Sequence, residues 1–67
     1  MIIKQDERFL RAADAQLAIW CAEDAGEHED ESARLLRRLV EQLSGDYGLS
    51  KATVSALVAR QALVDYE

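Results

Sequence analysis

Val40-Glu41-Gln42-Leu43-Ser44-Gly45-Asp46-Tyr47-Gly48-Leu49-Ser50-Lys51-Ala52-Thr53-Val54-Ser55-Ala56-Leu57-Val58-Ala59 is the stretch on which the fold of this chain turns. Leu43, Tyr47, Leu49, Val54 and Leu57 fall on the buried positions of a helix, a turn and a second helix, and Ser44 is small where the two helices approach. Gly48 stands where the chain needs a positive φ, and Ser50 stands where the next helix needs a cap. Gly45 and Asp46 are poor helix formers, so the first of the two helices is expected to stop early and the turn to be long.

Upstream, Leu35, Leu36, Leu39, Val40 and Leu43 form a broad apolar stripe, with Arg34, Arg37, Arg38 and Glu41 outside it. This spacing predicts a helix over 32–44, and Val54, Leu57 and Val58 predict another over 50–62. Nearer the start, Phe9, Leu10, Ala13, Leu17, Trp20 and Cys21 recur at helical spacing. They predict a long amphipathic helix over 6–25, capped by Asp6 and stopped by Gly26. Residues 26–31, Gly-Glu-His-Glu-Asp-Glu, read as an acidic connector, with Asp30 or Ser32 capping the helix that follows. Residues 62–67 either continue the last helix or run extended, where residues 1–4 offer a strand-compatible partner. The expectation is one all-α domain over 1–67, three helices with little or no strand.

Sixty-seven residues bury only about 60% of the surface that the unfolded chain exposes, so stability is expected to be marginal. Apolar residues at 49% and charged ones at 31% nevertheless describe a chain that folds, and the absence of proline favours helix. A single cysteine, Cys21, excludes an internal disulfide and reads as a buried thiol in a reducing, cytoplasmic setting. No apolar run reaches membrane-spanning length, and the first residues lack the basic-then-apolar order of a secretory signal.

The net charge of −5 hides an asymmetry. Residues 1–33 hold three Lys/Arg and nine Asp/Glu, a net of −6, whereas residues 34–67 hold five and four, a net of +1. Indiscriminate nucleic-acid binding is therefore disfavoured, but the stretch 34–64, five cations against Glu41 and Asp46, still offers a polyanion a local +3.

The string Gly48-Leu49-Ser50-Lys51-Ala52-Thr53-Val54-Ser55-Ala56-Leu57-Val58 resembles the turn and recognition helix of the lactose-repressor family and is similar to the equivalent segment of the MarR family. In both, glycine, an aliphatic residue and serine precede Thr-Val-Ser and an aliphatic pair. The resemblance covers residues 40–59, about a third of the chain, and implies a helix-turn-helix. Ser50 would then cap the recognition helix and touch phosphate, while Lys51, Ala52, Ser55, Ala56 and Arg60 face the major groove. Two alanines at reading positions imply thin specificity, because alanine offers only apolar contact with a thymine methyl. No wing of the MarR kind can follow in the residues present.

Arg34 and Arg38 lie one turn apart and can present two guanidinium forks to phosphates, or pair with Glu31 and Glu41 on their own helix. Phe9, Leu17 and Trp20 belong to a core or to a homodimer seam. The leading expectation is a small helix-turn-helix transcriptional regulator of duplex DNA, dimeric, and of the phage or mobile-element type given its compactness. The alternative is an acidic helical module in which Asp24, Glu27, Glu29, Asp30 and Glu31 steer it to a basic protein as an inhibitor or anti-factor. His28 among those acids lacks metal-ligand spacing, no nucleophile has a histidine partner, and no glycine loop cradles phosphate. Neither enzyme activity, a small-molecule substrate nor a cofactor is expected.

Overall fold

The computed structural model describes residues 3–66. A short 3-10 turn, Ile3–Gln5, leads into α1 (Glu7–Asp24), α2 (Asp30–Tyr47) and α3 (Lys51–Tyr66), and the described residues contain no strand. The protein is a small all-α domain. The strand pairing of the termini does not form: Ile3–Gln5 and Ala62–Tyr66 are helical, while residues 1, 2 and 67 lie outside the described residues.

Local chemistry starts and stops α1 as its sequence implies. Asp6 sits in the extended region and its carboxylate accepts the Arg8 N–H at 2.9 Å. At the far end Gly26 adopts φ +75°, the Gly26 N–H donates to Glu23 O and the Glu27 N–H donates to Ala22 O. These are the two bonds of a Schellman turn, which satisfy carbonyls that the helix end would otherwise leave open. The acidic connector is shorter than 26–31, because α2 already begins at Asp30. Glu29 occupies the cap position without a side-chain bond, so neither Asp30 nor Ser32 caps. Instead Asp30 and Glu31 place two carboxylates in the first turn, against the positive end of the helix dipole.

The early stop expected at Gly45 does not occur. α2 runs on through Gly45 and Asp46 to Tyr47, and the turn is only Gly48-Leu49-Ser50. The reason is tertiary: Arg8 of α1 grips Asp46, and the Tyr47 hydroxyl donates to the Asp6 carboxylate at 2.9 Å, so the last turn of α2 is held by the start of α1. Gly48 then takes φ +65°, and the Leu49 N–H returns to Ser44 O at 3.1 Å. The Ser44 hydroxyl donates to Leu49 O, closing the turn from its other side. Ser50 caps α3, its Oγ accepting the Thr53 N–H at 3.1 Å. α3 extends one turn beyond the expected 62, to Tyr66.

Phe9, Ala12, Leu39, Val40, Leu43, Val54 and Val58 form the core, with Ile3, Leu35, Leu36, Tyr47, Leu49 and Leu57 packed against it. All five positions singled out in the 40–59 stretch therefore point inward. α1 differs from its reading. Leu10 is 45% exposed and Cys21 is exposed, so neither is core and the thiol is not buried. Ala13 is buried as its spacing implies, and Ala12 and Ala15 are buried with it, because both other helices pack on α1 and small side chains let two backbones approach it.

Candidate nucleic-acid interface

Every residue that the sequence assigned to DNA contact is on the surface: Ser50, Lys51, Ala52, Ser55, Ala56 and Arg60 of the α3 region, and Arg34 and Arg38 of α2. On α3 the order of exposure has a helical cause. Val54, Val58 and Ala62 are fully buried, so the opposite side carries Ala52, Ala56 and Arg60, with Lys51 and Ser55 along one edge. Lys51 and Arg60 thus flank a strip of small side chains, and α3 carries no carboxylate before Asp65.

Two of the α2 arginines stay together, as their spacing implies, and the third stands apart. Arg37, with Lys51, Ser55 and Glu41, rims a shallow hollow of about 450 Å³ floored by Ile19, Ala33, Leu36 and Val40. Arg34 and Arg38 line a separate hollow with Glu31, Ser32 and Leu35. The cation that α2 brings beside the start of α3 is Arg37, which sequence spacing had not selected. A helical-wheel projection of α2 alone cannot find it, since the choice depends on where α3 crosses.

Among the described residues, Arg34, Arg37 and Arg38 make no ion pair, so the expected partnership with Glu31 and Glu41 is absent. Glu41 reaches across to Lys51 instead, at 3.8 Å, with both side chains more than half exposed. Such a pair contributes little to stability and leaves the ammonium free to exchange its partner for a phosphate. Arg8, by contrast, is committed: it holds Asp6 at 2.7 Å and Asp46, and its proton is bound more tightly than usual.

The proposed dimer residues separate as well. Phe9 is fully buried inside one chain and is not available to a second copy, whereas Leu17 and Trp20 are only partly buried. The acids proposed for a protein partner, Asp24, Glu27, Glu29, Asp30 and Glu31, are all exposed at the end of α1, through the connector and into the start of α2.

Fold and surface together define a three-helix domain whose last helix exposes a strip of small side chains between two cations. No helix of the described residues is long and apolar enough to cross a membrane. The chain matches no protein-family model, no curated protein and no solved structure.

Proposed function

We propose that this protein is a small cytoplasmic DNA-binding regulator that lays α3 along duplex DNA. The observation that supports this reading is the exposed strip of Ala52, Ser55 and Ala56 between Lys51 and Arg60, in a helix with no acid before Asp65. Small side chains let the helix sit deep in the major groove, and cations on both edges meet the phosphates that border it. Arg37 adds a third cation next to Lys51. Base discrimination is weak in this arrangement, because the strip holds no side chain able to make a bidentate hydrogen bond to a base edge.

The test is titration onto a randomised duplex library at low and then higher salt. Three phosphate contacts predict that log affinity falls with log salt at a slope of about −3, with modest sequence enrichment. Arg37→Glu, Lys51→Glu and Arg60→Glu should each weaken binding while leaving the helical spectrum unchanged. Glu41→Gln should strengthen it, since it frees Lys51. Absence of binding at low salt, where phosphate attraction is greatest, refutes the reading.

A further inference from the structure

The C-terminal ends of α1 and α3 meet at a groove of about 260 Å³ lined by Trp20, Glu23, Asp24, Leu63 and Tyr66. Leu63 is 55% and Tyr66 56% exposed, and Trp20 is half-buried, so three large apolar side chains on two helices face solvent together. Clustered exposure of this kind marks an interaction surface more often than scattered single residues do. Its chemistry also selects an occupant. The lining holds two carboxylates, Glu23 and Asp24, and no lysine or arginine, and Asp65 stands between Leu63 and Tyr66 on α3. Along the chain on either side of that lining, residues 12–33 hold seven carboxylates and no lysine or arginine.

We infer that the Trp20–Leu63–Tyr66 groove docks a basic amphipathic helix of another protein, whose large apolar side chain enters between the aromatic rings while its flanking Lys or Arg residues meet Glu23 and Asp24. A symmetric pairing with a second copy would set these carboxylates against their own images, at a separation within the Debye length of roughly 8 Å in physiological salt. A basic helix turns the same charges into attraction and gains the apolar burial as well. The surface does not depend on DNA binding. It uses none of Arg37, Lys51 or Arg60.

The experiment is selection from a displayed library of helical peptides with randomised surface positions. Enriched peptides should carry a large apolar residue with Lys or Arg one turn away. Because Trp20 is the single tryptophan, they should shift the protein's emission to shorter wavelength on binding. Leu63→Asp and Tyr66→Ala, both at exposed positions, should each reduce affinity at least tenfold with the helical spectrum intact. The double change Glu23→Gln, Asp24→Asn should weaken binding and flatten its salt dependence. Three results overturn the inference: no enrichment, enriched peptides indifferent to Leu63→Asp, or sedimentation showing a homodimer that Leu63→Asp dissociates. None of them involves DNA, so a failure here leaves the nucleic-acid reading to its own test.

Discussion

The two halves of α3 share a helix and a buried face yet present opposite surfaces. From Lys51 to Arg60 the exposed residues are small or cationic; from Leu63 to Tyr66 they are large and apolar, with the acid Asp65 among them. Both halves are fixed by the same inward series, Val54, Val58 and Ala62, packed against α1. A helix of sixteen residues in a three-helix domain has too little length to be all core, so its outward side is free to carry two unrelated chemistries. What separates them is which part of α1 or α2 lies alongside. Arg37 accompanies the first half, and Trp20, Glu23 and Asp24 accompany the second.

The largest effect erases the contrast altogether. Phe9→Ala removes the largest fully buried side chain from the cluster that holds Val54 and Val58, at a cost of about 3–5 kcal/mol. A domain this small has little more stability than that, so circular dichroism should show the variant substantially unfolded at room temperature and both surfaces lost. Next comes a double dissociation. Lys51→Glu with Arg60→Glu should lower low-salt DNA affinity by tenfold or more and leave peptide docking unchanged, while Leu63→Asp should do the reverse. If one variant disables both, the two halves are a single surface.

Smaller effects test how the turn aims α3. Gly48→Ala places a side chain at φ +65° with open space around it, so backbone strain alone should cost about 1–2 kcal/mol. Gly45→Ala, three residues earlier in the α2 interior and equally open, should stabilise by about 0.5–1 kcal/mol. Thermal melts should therefore move in opposite directions.

The smallest effect concerns pH. Hydrogen bonds from Arg8, side chain first and then backbone, and from Tyr47 hold the Asp6 carboxyl well below the usual carboxylate range. The unfolded chain then binds this proton more readily than the folded one, so the contribution is present above pH about 4 and is lost as pH falls below it. Tyr47 has the opposite sign: its bond to Asp6, and then burial, raise its pKa, so that contribution is present below pH about 10 and is lost as pH rises beyond it. Urea midpoints measured from pH 7 down to 3 should fall less steeply for Asp6→Asn than for the unchanged chain.

Much of this architecture is legible in residue order. The apolar spacing of Leu35 to Leu43 and of Val54 to Val58, the cap at Asp6, the cap at Ser50 and the stop at Gly26 are local signals, and the structure uses each of them. The misreadings have one common cause. Gly45 and Asp46 look like the end of a helix because nothing within a few residues shows that Arg8 and Asp6, some forty positions away, hold the last turn of α2. Leu10 and Cys21 look like core because spacing along α1 cannot say that two helices, rather than one, cover it. Spacing puts Arg37 outside the apolar stripe of α2, but that it stands beside Lys51 depends on where α3 crosses.

By itself the sequence determined the class of fold, the number of α-helices, the caps of the first and last of them and the turn at Gly48, because these follow from backbone propensity and from hydrogen bonds within a turn or two. It also determined that charge is unevenly placed along the chain. Only the tertiary structure decided which face of α1 is buried, how far α2 runs, and which cations and apolar groups stand together. Those are matters of contact between segments distant in sequence, and periodicity records how a helix is sided without recording what it meets.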